Sequence, residues 1–199
     1  MNPSIACNPL AKSKRELRAR LLEARFSAAL EASSNESLSR QVIEVLKRFE
    51  PTRVGFYWPL RGEFDARRAI AVWLALDPRR EAALPVIPRK HEPLVFHAWS
   101  PDMPMQPGHH QIPEPTSARV VIPDLLLIPC VGFDAEGYRL GYGGGYYDRT
   151  LATWPGEKKP VTVGIAYEAC RVDALHRETH DIPLDAIITD TCSYPVMVG

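Results

Sequence analysis

The order of apolar segments predicts an α/β protein, built as a three-layer sandwich with a mostly parallel sheet and helices at the N-terminus. Three observations carry that expectation. Apolar residues recur at helical spacing through the first fifty positions. After them, short strand-like runs alternate with helical patterns. One run, Pro123-Asp-Leu-Leu-Leu-Ile-Pro-Cys-Val131, is apolar at nearly every position, as a strand buried on both faces requires.

The first helix carries Leu17, Leu21, Ala24 and Ala28 on one face, with Lys14, Arg18 and Arg25 on others. A break is expected at Ser33-Ser-Asn-Glu36, where Ser33 and Glu36 have capping-box spacing. The second helix presents Leu38, Val42, Val45, Leu46 and Phe49, and Pro51 closes it. A strand over 54–58 precedes a helix bearing Ala66, Ala69, Ile70, Trp73 and Leu74, opened by Asp65 and stopped before Pro78. Strands follow over 83–87 and 94–99, with Pro85 marking an edge or bulge in the first. The proline-rich stretch Asp102 to Pro115 reads as a long loop. Strands over 123–131, 162–166 and 186–189 complete the sheet, and residues 1–199 are expected to form a single domain.

Composition narrows the class. The 199 residues hold 24 basic and 24 acidic side chains, so no whole-protein attraction to nucleic acid or anionic membrane is expected. Local charge is less even, with six basic residues against two acidic ones between Lys12 and Arg25. Cys7, Cys130, Cys170 and Cys192 form no CxxC pair, which fits a reducing compartment better than a disulfide or zinc framework. The start lacks signal-peptide order and no apolar run approaches membrane-spanning length. A cytoplasmic protein is expected.

The segment richest in chemistry is Gly141-Tyr-Gly-Gly-Gly-Tyr-Tyr-Asp148, between a buried strand and a helical pattern. Its glycines let backbone N–H groups close around an anion, and Arg139 and Arg149 flank them. It matches neither the Walker A nor the GxGxxG pattern, so by itself it says phosphate and leaves the reaction open; a flexible turn is the bland alternative. Asp148 and Asp185 suit Mg²⁺ if they meet, and otherwise cap a helix and fill a turn. Lys14 and Arg18, four apart, either clamp a polyphosphate or lie solvated on a helix face. Glu63 follows a strand end, where a carboxylate orients a polar ligand or stays an exposed loop acid. Tyr57, Trp58, Trp99, Tyr146 and Tyr147 either line a flat aromatic site or pack the core. His109 and His110 read as a solvated pair.

Taken in order, these residues resemble the 5-formyltetrahydrofolate cyclo-ligase family. The resemblance runs from Lys14-Arg-Glu-Leu-Arg18 through Glu63, Leu84-Pro-Val-Ile-Pro-Arg89 and Ile112-Pro-Glu-Pro115 to Asp124–Asp134, Gly137–Asp148 and His180-Asp-Ile-Pro-Leu-Asp185. The Arg139–Asp148 segment is the most specific of these. The resemblance implies a sugar-phosphate-isomerase-like fold and ATP-dependent closure of 5-formyltetrahydrofolate, polyglutamylated or not, to 5,10-methenyltetrahydrofolate, with release of ADP and phosphate.

The resemblance also implies the roles. Lys14, Arg18, Arg139, Gly141, Gly143, Gly144, Gly145 and Tyr147 would hold ATP, and Asp148 with Asp185 would hold Mg²⁺. Glu63, Pro113, Glu114, Tyr142, Gly143 and Tyr146 would form the folate pocket, with Arg139, Tyr146 and Glu63 acting in catalysis. A monomer is expected, with no nucleic-acid or membrane partner. Two departures stand out: some members carry a lysine where this chain has Gly144, and many carry a glutamine where it has Cys170. The competing expectations are a sugar-phosphate isomerase using the same loop without ATP, and a nucleotide- or RNA-binding module without chemistry.

Overall fold

A computed structural model describes residues 9–195, with side chains for 13–194. Helices α1 (Pro9–Ala29) and α2 (Ala32–Phe49) come first, then strand β1 (Arg53–Gly55), helix α3 (Arg67–Ala75) and strands β2 (Glu81–Val86) and β3 (Val95–Trp99). Strands β4 (Met105–Pro107) and β5 (Pro113–Pro115) precede β6 (Leu125–Pro129), β7 (Gly132–Phe133) and β8 (Arg139–Leu140). Helix α4 (Tyr146–Ala152), β9 (Val161–Ile165), β10 (Ala186–Ile188) and β11 (Ser193–Pro195) complete the chain.

The main sheet has seven strands in the order β11-β10-β9-β6-β1-β2-β3. The five inner strands run parallel, and β3 and β11 add antiparallel edges. Its centre explains the unbroken apolar run. On β6, Leu125 and Leu127 face a core shared with Leu21, Leu38, Val42, Ile70 and Trp73 of α1, α2 and α3. Leu126 and Ile128 face the opposite core, with Phe96, Val121, Phe133 and Leu151 of α4. Each fully buried side chain of this size contributes about 1.5–3 kcal/mol, so β6 anchors both layers at once. The three-layer expectation therefore holds.

Several local expectations change. Helix α2 begins at Ala32, with Glu31 at its cap position and no side-chain capping bond, so the Ser33–Glu36 capping box does not form. Tertiary partners outcompete it. The Asn35 amide donates to the Ala29 and Glu31 carbonyls and accepts from the Tyr167 hydroxyl, while Ser34 donates to Asp190.

Pro85 lies in an interior strand, yet its place is edge-like. Pairing of β1 with β2 stops at Ala83, and Pro85 faces only Phe96 of β3. The proline-rich loop contains the β4–β5 hairpin. Strands β7 and β8 form a second hairpin, its turn held by the buried Asp134, which accepts from the N–H groups of Glu136, Tyr138 and Leu175. No helix among the described residues is long and apolar enough to cross a membrane.

Candidate active site

From β1 the chain passes to β2 on one side, and later returns to β6 on the other side of β1. A crevice opens at such a switch point, beyond the carboxyl ends of the strands. A cavity of about 700 Å³ lies there, within the size range of small-molecule sites. Tyr57, Trp58 and Glu63 reach it from the segment after β1, and Pro129 from the end of β6. The glycine loop, Lys14 and Arg18 of α1, His109, Ile112 and Glu114 of the β4–β5 hairpin, and the segment from Leu175 to Asp181 add to the wall.

The glycine loop is conformationally constrained at two positions. Gly143 has φ +95°, and a Cβ on it would stand 3.4 Å from the Arg18 guanidinium. Gly145 has φ +63°, begins α4, and a Cβ there would come within 2.8 Å of Arg149. Side chains rarely adopt such φ, so glycine lets both arginines close on the loop backbone. Arg18 Nε donates to the Gly141 carbonyl at 2.8 Å, and Arg149 Nη2 to the Gly144 carbonyl at 2.6 Å. Gly144 leaves room for the Tyr146 ring, which a Cβ would approach to 2.8 Å. With no lysine in the loop, fixed charge beside it comes from Arg18 and Arg149.

Deeper in, Arg139 Nη2 donates to Asp148 Oδ1 at 2.8 Å and Nη1 to the Ile182 carbonyl at 2.9 Å. The same Oδ1 receives the Ile182 N–H at 3.3 Å. Lys14 Nζ bonds Glu178 Oε1 at 2.6 Å across the cavity mouth. Tyr147 is partly buried beside these groups, and desolvation of its hydroxyl pushes the phenol above the ordinary range. On the far side Glu63 is enclosed. Its Oε2 accepts the Leu60 N–H at 2.7 Å, and Oε1 accepts from the Tyr142 hydroxyl at 2.7 Å and from Arg25 at 3.2 Å. Tyr142 as a whole is 47% exposed, but desolvation of its hydroxyl, with the Glu63 charge adding to it, raises its phenol.

Two expected residues lie elsewhere. Asp185 does not join Asp148. Its Oδ2 accepts the Thr162 N–H and hydroxyl, each at 2.7 Å, where β9 and β10 begin. That is the amino end of the parallel strands, opposite the cavity. Pro113 is paired with Pro107 in the β4–β5 hairpin, while its neighbours Ile112 and Glu114 line the cavity. Cys170 is buried beneath α1, its thiol 3.6 Å from the Leu21 carbonyl, and burial pushes its pKa up to about 11.

Sequence reasoning also missed residues. Asp181 lines the cavity, although the motif His180–Asp185 had pointed to its last aspartate. Arg25 stands beneath Glu63 and Tyr142. Its signal was legible, because positions 14, 18 and 25 fall on one stripe of an α-helix.

The sequence pattern of the 5-formyltetrahydrofolate cyclo-ligase family matches residues 10–190. The chain belongs to this family. The 5-formyltetrahydrofolate cyclo-ligase of Haemophilus influenzae is 31% identical over 176 residues, which cover 85% of this chain and 92% of that protein. The Escherichia coli K12 protein of the same name is 33% identical over 172 residues, 81% of this chain and 92% of that one. Among solved structures, Aquifex aeolicus 5,10-methenyltetrahydrofolate synthetase superposes with a TM-score of 0.73 at 31% identity, covering 94% of each chain. The Mycoplasma pneumoniae 5,10-methenyltetrahydrofolate synthetase does so with 0.67 at 26% identity, covering 89% of this chain and 98% of that one.

Proposed function

We propose that this protein closes 5-formyltetrahydrofolate to 5,10-methenyltetrahydrofolate at the expense of ATP, in the cytoplasm. One observation carries the reading. A single cavity holds the glycine loop with Lys14, Arg18 and Arg139, and the carboxylate of Glu63 with Tyr57, Trp58 and Tyr142. The first half suits a polyphosphate and the second a flat ring bearing N–H donors.

In this reading the N5-formyl oxygen attacks the γ-phosphorus of ATP. The bond to the bridging oxygen breaks and ADP leaves. The formyl carbon now bears phosphate in place of a poor leaving oxygen, and N10 attacks it. The carbon–N10 bond forms, inorganic phosphate departs with the C–O bonding pair, and the N10 proton is lost. Such chemistry asks the protein chiefly for alignment and charge neutralisation.

Lys14 and Arg18 would take the ATP phosphates, and the loop N–H groups with Arg139 the group in transfer. Lys14 would exchange Glu178 for phosphate, and Glu63 would orient the pterin. Among the described residues no cluster of three metal-ligating side chains occurs. Asp148 nonetheless suits Mg²⁺: among the described residues its second oxygen has no hydrogen-bond partner, and this ion uses one or two carboxylates together with phosphate oxygens and water. Bound there, the ion would neutralise charge on the phosphates. Purified protein with 5-formyltetrahydrofolate and Mg²⁺ is expected to generate methenyltetrahydrofolate absorbance when ATP is added and not before. Folded protein at high concentration giving no product with ATP would overturn the reading.

A further inference from the structure

Arg25 has no part in the roles above, yet three segments of the chain meet on it. It is 3% exposed. Nη1 pairs with Glu63 Oε1 at 3.2 Å, and Nη2 donates to the Tyr142 hydroxyl at 2.7 Å and to the Arg61 carbonyl at 3.0 Å. The pair is enclosed, with both the Arg25 and the Glu63 side chains 4% exposed. Arg25 Nε is buried without a hydrogen-bond partner among the described residues. A guanidinium placed so costs desolvation that a packed apolar side chain avoids. What the arrangement supplies is orientation: α1, the loop after β1 and the glycine loop are tied at one point.

The geometry also limits what Glu63 can still do. A carboxylate offers about four acceptor directions. Oε1 receives Arg25 and Tyr142, and Oε2 receives the Leu60 N–H, which leaves one direction on Oε2. Glu63 lines the cavity. Arg25 and Tyr142 together prevent rotation of the carboxylate.

We propose that Arg25 is a positioning residue for the folate side of the reaction, holding the Glu63 carboxylate oriented so that Oε2 can accept an N–H of the reduced pterin. The inference rests on the reading that Glu63 faces the pterin. It gives α1 two tasks on one stripe: Lys14 and Arg18 serve the nucleotide, and Arg25, two turns beyond Arg18, serves the folate through Glu63.

The test measures binding of 5-formyltetrahydrofolate and, separately, of ATP with Mg²⁺ to the full-length chain. The variants are Arg25→Met, Arg25→Lys, Glu63→Gln and the double variant Arg25→Met/Glu63→Gln. Arg25→Met is expected to weaken folate binding roughly thirtyfold or more, the scale of unpairing a buried hydrogen-bonded charge, and to leave ATP binding near the parent value. Arg25→Lys keeps the charge but not the fork, and should restore part of the loss. The double variant should bind folate no worse than the weaker single one.

Equal losses for folate and ATP would make Arg25 a mere strut and overturn the proposal. So would losses from Arg25→Met and Glu63→Gln that multiply. Where Arg25→Met does not fold by circular dichroism, Arg25→Lys decides: unchanged folate affinity overturns the proposal, and a selective loss supports it. Glu63→Gln separates the two ideas. If it leaves folate binding intact, the underlying Glu63 reading falls; if it weakens folate binding while Arg25 variants do not, the present inference alone falls.

Discussion

The two ends of the parallel sheet use acidic residues in different ways. At the amino end, Asp124 accepts from the Thr52 N–H and hydroxyl and from the Arg53 N–H as β1 and β6 begin. Asp185 grips Thr162 in the same manner as β9 and β10 begin. These carboxylates are bound chiefly to backbone and to a short side chain, with only the exposed Arg53 guanidinium 3.9 Å from Asp124, so they staple strand starts. At the carboxyl end, Glu63, Asp148 and Glu178 are each bound by a cation: Arg25, Arg139 and Lys14. Lys14, paired with an exposed carboxylate, can trade it for a phosphate, whereas the enclosed Arg25 holds Glu63 in place. A carboxylate tied to backbone stabilises the sheet, and one tied to a cation beside a cavity is available to chemistry.

The largest effect that could break this comparison belongs to Asp148. Asp148→Ala is expected to lower kcat/KM about 10²–10³-fold, the scale of a lost charge-stabilising contact, beyond the destabilisation from leaving the buried Arg139 side chain unpaired. Asp185→Ala should act on stability alone. It should cost about 1–3 kcal/mol in denaturant unfolding, because buried Thr162 donors lose their acceptor, with kcat/KM near the parent value. Loss of Mg²⁺-dependent ATP binding in folded Asp185→Ala would return that residue to the site.

Next comes Lys14→Ala, expected to raise KM for ATP about tenfold through loss of one charge-assisted phosphate contact and to leave KM for the folate unchanged. The smallest effect concerns its partner. Glu178→Gln frees Lys14 and should lower KM for ATP by up to about fivefold, the range of an exposed ion pair.

The hydrogen bond and charge of Lys14 hold the Glu178 carboxyl below its ordinary value of 4.5. A depressed carboxylate contributes above its unfolded value and loses that contribution as pH falls through the folded one. Carbon NMR titration of Glu178 should therefore give a midpoint below 4.5, returning toward it in Lys14→Ala.

Much of this was legible along the chain. Periodicity marked the helices, and the run over 123–131 marked a doubly buried strand, because burial on two faces removes polar positions. The glycine loop was legible because φ values of +95° and +63° at Gly143 and Gly145 favour glycine over other residues. The capping box at Ser33 was misread because Asn35 and Ser34 find partners in Tyr167 and Asp190, far off in sequence. The hairpins β4–β5 and β7–β8 and the edge strand β11 escaped notice because two- and three-residue strands carry too little alternation to register.

The sequence by itself determined the class of fold, the glycine loop and the family, since these reside in local periodicity, backbone freedom and ordered motifs. Tertiary structure decided which acids share the cavity. Asp148 and Asp185 looked equivalent as letters, yet one follows a turn at the carboxyl end of the sheet and the other starts a strand at the amino end. Strand direction, a property of the assembled sheet, sends one carboxylate to arginine and the other to a backbone N–H. The same assembly brings Arg25 under Glu63, 38 residues along the chain, where a helix stripe meets a strand end.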